Sequence, residues 1–294
     1  MPRIASFSSQ AFTGFRLSLD AGLDLSNLNY SNNSFDVVDA PGVSPPITRS
    51  SARSVRFNAD GTKMYILADR DDIANQFNYL YEYVLSTPYD ITTASYNRTD
   101  QLQSEGFVKD LVIFPNEEYV FYTTNQSDIV RVGFNEANFS ISSVSDQEVT
   151  LPTDPIEALA FNTDGTRFYT VVKAGNDEYT INQYNLSFPY SINNRNLQAS
   201  FTSNIGGFQF NTAPQDIVLN ADESKLFFIG SNGNQFFSQN AYQLSMDPPG
   251  DVSTLSSEAS LNHTSEGQSG RSLAFDPSGK KLFLLIAGVV YEYS

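Results

Sequence analysis

The chain has 294 residues, with 33 Asp and Glu against 17 Lys and Arg, for a formal net charge of −16. That balance argues against nucleic acid and membrane insertion as modes of action, because phosphate and anionic lipid are bound through clustered cations. There is no cysteine and one histidine, His263, so disulfides, thiolate catalysis and any site needing two imidazoles are excluded.

The first 23 residues carry Phe12, Phe15 and Leu17, too much apolar surface for an inert tail. They form an arm that either caps the fold or docks it to another chain, with Phe12 and Phe15 as contacts. Polar residues interrupt this stretch, so no secretory signal is expected and synthesis is assigned to a cytoplasm. Residues 24–50 hold a closing strand and a linker, argued below.

From residue 52 onward one pattern returns five times: an apolar run, a polar turn and a second apolar run. Its copies centre on Asn58-Ala-Asp60-Gly61, Pro115-Asn116-Glu-Glu118, Asn162-Thr-Asp164-Gly165, Asn220-Ala-Asp222-Glu223 and Asp276-Pro-Ser278-Gly279. The residues before these turns, Phe57, Phe114, Phe161, Leu219 and Phe275, are 57, 47, 58 and 56 residues apart. That period fits four short strands and their turns, the blade of a β-propeller. Asp-Gly and Ser-Gly tolerate the positive φ of a tight hairpin. Copies two and four lack the glycine, and a different turn is expected there.

A third strand follows in most units, as in Tyr79-Leu-Tyr-Glu-Tyr83 and Tyr291-Glu-Tyr293. Then comes a linker, Thr87-Pro88-Tyr89-Asp90-Ile91 in the first unit and Phe188-Pro189-Tyr190-Ser-Ile192 in the third. Tyr89 and Tyr190 are expected to be exposed and to serve as partner contacts. A polar fourth strand, such as Ala94-Ser-Tyr96-Asn-Arg-Thr, ends the unit.

The fifth unit stops at Ser294 after its third strand. Its missing piece matches the other end of the chain, where Asp24-Leu-Ser-Asn-Leu-Asn-Tyr30 parallels Asp90-Ile-Thr-Thr-Ala-Ser-Tyr96. The expectation is a single all-β domain over residues 24–294, a five-bladed β-propeller with blades starting near residues 52, 109, 156, 215 and 271. An N-terminal strand completes the C-terminal blade and removes the exposed edge at the seam.

These repeats resemble those of β-propeller proteins in the virions of tailed bacteriophages, marine ones especially. The resemblance spans about residues 24–294 and is strongest over 54–96. It implies a non-enzymatic virion component, such as a capsid decoration, knob or tail-fibre protein. The implied partners are other virion proteins and a host surface glycan or protein. Units two and four depart from the fullest pattern.

Because propellers also host enzymes, the channel mouth is the place to look for chemistry. Four residues before each anchor stand Arg53, Asp110, Glu157, Gln215 and Arg271, expected to ring one mouth of the axial channel. Two acids and two arginines there would suit a sugar or carboxylate ligand, or a glycosidase pair; the plainer reading is mutual pairing. Asp69-Arg-Asp71-Asp72 is expected on a loop, where its carboxylates are the one candidate for Ca²⁺; otherwise no cofactor is expected. His263 lacks a nearby nucleophile or second ligand and is expected at the surface.

Overall fold

The computed structural model describes residues 24–294, apart from 73–74, 103–105, 115–117, 136, 138, 152–154, 174–178, 203–211, 233–239, 264 and 268–269. The N-terminal arm, with Phe12 and Phe15, lies outside the described residues.

Five four-stranded antiparallel sheets form a five-bladed β-propeller. Blade I is β2 (Ala52–Phe57), β3 (Lys63–Asp72), β4 (Asn75–Leu85) and β5 (Ala94–Leu102). Blade II is β6 (Val108–Ile113), β7 (Tyr119–Thr124), β8 (Asp128–Asn135) and β9 (Ser140–Thr150). Blade III is β10 (Ile156–Phe161), β11 (Arg167–Lys173), β12 (Tyr179–Leu186) and β13 (Arg195–Thr202). Blade IV is β14 (Thr212–Leu219), β15 (Lys225–Asn232), β16 (Asn240–Ser245) and β17 (Ser256–Asn262). Blade V joins β18 (Gly270–Phe275), β19 (Leu282–Ile286) and β20 (Val289–Tyr293) to the N-terminal β1 (Tyr30–Asp36). The innermost strands β2, β6, β10, β14 and β18 pack side by side around the axis.

Alternation along each strand aims apolar side chains at the neighbouring blades, so the core is split into five clusters, one per seam. Phe57 meets Phe283 across the V–I seam with ring centroids 4.5 Å apart, Phe121 meets Phe161 across II–III at 4.7 Å, and Phe227 meets Phe275 across IV–V at 5.0 Å. Tyr65 stacks on Phe139 across I–II, and Tyr169 and Phe228 share the III–IV cluster.

A short 3-10 turn in most linkers fastens each blade to the one before it. These turns are η1 (Leu25–Asn27), η2 (Ile91–Thr93), η3 (Ile192–Asn194) and η4 (Val252–Thr254), and the first residue of each is buried. Asp24, Asp90 and Asp251 cap three of them by accepting from the backbone N–H two residues on. Each turn packs against the fourth strand of the preceding blade. In two cases a buried glutamine of that blade's third strand accepts from the turn: Gln243 Oε1 from Leu25 N (2.9 Å) and Gln183 Oε1 from Val252 N (3.2 Å).

Closure thus repeats a device used elsewhere in the ring. Tyr30 lies opposite Tyr293 as Tyr96 lies opposite Tyr83, and Leu25 enters blade IV before β1 pairs with β20. Leu25→Ala should cost about 2–5 kcal/mol, the usual range for a buried leucine. Urea unfolding would check this, and a loss below about 1 kcal/mol would deny η1 its fastening role.

Candidate functional site

Each innermost strand begins with a β-bulge, one residue that has no counterpart on the second strand. The register shifts fall between Ala52 and Ser54, Ile156 and Ala158, Pro214 and Asp216, and Gly270 and Ser272, which leaves Arg53, Glu157, Gln215 and Arg271 at the bulges. A bulge re-aims its side chain, and here it collects one polar residue per blade at the start of the inner strands.

Blade II corrects the expected ring by one residue. Its hairpin pairs Ile113 with Val120, as Phe57 pairs with Met64 and Phe161 with Phe168. Ile113 is therefore the true anchor. Phe114 stands where the other blades carry Asn58, Asn162, Asn220 and Asp276, and makes the same backbone bond, Phe114 N to Tyr119 O. Lys109 takes the mouth position, and Asp110 moves one layer inward.

The mouth residues largely pair with one another. Arg53 Nε and Nη2 both donate to Asp69 Oδ2, at 2.9 and 2.5 Å. Lys109 Nζ lies 3.2 Å from Glu157 Oε2, and Arg271 Nη1 donates to Gln215 Oε1 at 3.2 Å. Asp69 is 5% exposed within β3, not on a loop, and Asp71 and Asp72 continue that strand opposite Gln76 and Asn75. Among the described residues, no group of three or more acids or histidines could hold a metal ion.

One layer in stand Ser54, Asp110, Ala158, Asp216 and Ser272, and the four polar side chains among them form a belt of hydrogen bonds between blades. Ser54 Oγ donates to Asp110 Oδ1 (3.1 Å), linking I to II, and Leu159 N donates to Asp110 Oδ2 (3.0 Å), linking II to III. Leu273 N donates to Asp216 Oδ2 (2.9 Å), linking IV to V, and Val55 N donates to Ser272 Oγ (3.0 Å), linking V to I. Ala158 leaves the III–IV step without such a link.

Arg56 instead ties blade II directly to blade IV. Its Nη2 donates to Asp110 Oδ1 at 2.8 Å and Asp216 Oδ1 at 2.9 Å, Nη1 to Asp216 Oδ2 at 2.8 Å, and Nε to Leu111 O at 2.7 Å. The side chain is 13% exposed and both carboxylates are 1% exposed. The corresponding residues of the other blades are Val112, Ala160, Val218 and Ala274, which marks Arg56 as a lone charge in an apolar column. Sequence reading missed both Arg56 and Asp216, although that column held the signal for Arg56.

Burial and the neighbouring Asp216 push Asp110 up to about 7, against the opposing pull of Arg56. A carboxyl whose folded pKa is raised binds protons preferentially in the folded state. Its stabilising contribution is complete below the unfolded value near 3.8 and is lost as pH rises through about 7. Unfolding free energy should therefore fall between about pH 4 and about pH 7, and Asp110→Asn should flatten that slope. Arg56→Met, which strands two buried carboxylates, should cost about 3–5 kcal/mol above neutral pH. A pH-independent urea midpoint in the parent chain would contradict this account.

Tyr89 and Tyr190 do not project as partner contacts. Both adopt left-handed backbone, φ 55° and 57°, and fold back over the hairpin of their own blade, half-buried. Tyr89 Oη donates to the carbonyls of Asn58 and Ala59, and Tyr190 Oη to that of Thr163. Gly61 and Gly165 permit this, since a Cβ at either would come within 2.1–2.2 Å of the tyrosine ring. Among the described residues, the exposed large apolar side chains of blade III are instead Phe188 (65%) and Leu197 (53%).

Blade IV exchanges the two roles. Contrary to expectation its turn is of the same kind, with Glu223 at φ 58° in the glycine position and Gly250 in the tyrosine position, and Gly250 N bonds to Glu223 O as Tyr89 N does to Gly61 O. The Glu223 side chain takes the vacated space and reaches Arg167 (3.1 Å), Asn162 (3.0 Å) and Tyr169 of blade III. Gly61→Glu alone should cost about 1–3 kcal/mol, and adding Tyr89→Gly should recover part of it in a double-mutant cycle. Strict additivity would refute the coupling.

His263 is also corrected: it is fully buried, its Nδ1 lies 3.3 Å from Gly267 O, and burial lowers its pKa.

The molecule is thus a five-bladed β-propeller whose axis is crossed by a buried charge belt beneath a polar mouth. No family model matches the chain, and no curated protein matches it. Among solved structures it is similar to the β-propeller domain of Cps50 (Swd1) from Myceliophteria thermophila, at 12% identity and TM-score 0.43, over 80% of this chain and 62% of that one. It is similar to a chain of the mitotic checkpoint complex, at 12% identity and TM-score 0.47, over 84% and 78%. A candidate 6-phosphogluconolactonase from Bacteroides fragilis is similar at 13% identity and TM-score 0.49, over 79% and 76%. At these identities nothing about site or activity is carried over.

Proposed function

We propose that the chain is a non-enzymatic structural or adhesion module of a tailed-bacteriophage virion, displayed for particle assembly or host attachment. The observation that carries this reading is the repeat itself, with its Asn-x-Asp-Gly hairpins, Tyr-Glu-Tyr strand and Pro-Tyr-Asp linker resembling virion propellers. Supporting it, Asp110, one of the two carboxylates considered for glycosidase chemistry, is 1% exposed with both oxygens engaged by Ser54, Leu111, Leu159 and Arg56. Phe188 and Leu197 offer apolar contact surface on blade III for a neighbouring protein.

A second reading, a lectin or carbohydrate-active enzyme using the channel mouth, draws support from the cations Arg53 and Arg271 at that mouth. The two readings separate cleanly. Mass spectrometry of particles purified from the source should recover the chain at structural stoichiometry, and a variant lacking residues 1–20 should fold yet fail to join them. Its absence from particles, together with polysaccharide turnover abolished by Glu157→Gln, would establish the second reading instead.

A further inference from the structure

Arg271 occupies an unusual position for a guanidinium. Its five N–H donors meet one protein acceptor among the described residues, the neutral amide oxygen of Gln215 at 3.2 Å. The side chain is largely withdrawn from water, and Arg53 stands close enough for repulsion. Burial and that repulsion hold Arg271 below the ordinary guanidinium range, and the attraction of Asp69 and Glu157 offsets only part of the effect. Arg53 Nε and Nη2 converge on one oxygen of Asp69, and its Nη1 has no acceptor among the described residues.

Two arginines from blades I and V therefore face one mouth with donors to spare. Among the described residues, three cations, Arg53, Lys109 and Arg271, stand there against two carboxylates, Asp69 and Glu157. Their surplus is a single positive charge, in a molecule whose net charge is −16. A planar monoanion matches both the charge and the fork geometry of guanidinium groups, whereas a dianion would overcompensate the mouth.

We propose that the channel mouth binds a carboxylate-bearing ligand seated between the guanidinium groups of Arg53 and Arg271. The mouth residues that pair internally, Lys109 with Glu157 and Arg53 with Asp69, orient the site. Gln215 turns its amide oxygen toward Arg271 and so fixes one side of its fork. The site is independent of virion membership: particle proteomics and ligand titration can succeed or fail separately.

Isothermal titration of the full chain at low ionic strength tests this with sodium galacturonate, galactose, acetate and inorganic phosphate. Galacturonate and acetate should bind and galactose should not. Arg53→Gln and Arg271→Gln should each weaken binding by about tenfold or more, as loss of a charge-assisted fork implies. Arg49→Gln, at the surface pair with Asp36, should leave it unchanged. Acetate binding as tightly as galacturonate assigns the site to carboxylates in general, and tighter galacturonate binding assigns it to an acidic sugar. If Arg271→Gln does not fold, Arg271→Lys, which keeps the charge and loses the fork, should weaken binding in its place. Equal heats from galactose and galacturonate, unchanged affinity in folded variants, or phosphate binding above both carboxylates would overturn the proposal.

Discussion

Ring closure is the constraint on which everything else depends. Each blade has two large faces, and the apolar clusters lie at the seams between blades, not within any one sheet. A single blade would expose both faces, so stability resides in the neighbour contacts and the last seam matters as much as the first. The chain secures that seam with β1 on β20 and Leu25 in blade IV, so that the first described residues hold the two final blades together.

At the axis the problem changes from apolar burial to polar satisfaction. Five inner strands converge with bulged ends, and their buried donors need acceptors where water is scarce. Two aspartates and two serines meet most of that demand between adjacent blades, and Arg56 joins blade II to blade IV. Removing one partner from such an arrangement is more damaging than never having built it. The belt is thus a commitment of all five blades to one relative position, reinforced at the mouth by the pairs Lys109–Glu157 and Arg271–Gln215.

The fold was legible because its signals are local. Asp-Gly at residues 60–61 and 164–165, the Asp24 to Tyr30 match with Asp90 to Tyr96, and the repeat period each lie within a short window. The site was less legible for two physical reasons. Phe114 imitates an anchor residue while occupying an Asn position, which displaced the blade II register by one and put Asp110 in the wrong layer. The belt also joins residues 54 and 160 positions apart through bulged strands, where counting from the turn no longer tells which way a side chain faces. Tyr89 and Tyr190 misled because a left-handed backbone, invisible in the residue types alone, turns an apparently exposed ring inward.

The exchange between Gly61 with Tyr89 and Glu223 with Gly250 bears on how such a repeat diversifies. Neither position is free to vary alone, since the backbone allows a single large side chain in the space they share. The heritable unit of change is then a correlated pair some 28 residues apart in sequence. Recombination that swapped whole blades would carry both members together, whereas a crossover inside a blade would separate them, producing either a steric clash or an empty slot. Duplication of complete units followed by paired substitution is the route this geometry favours.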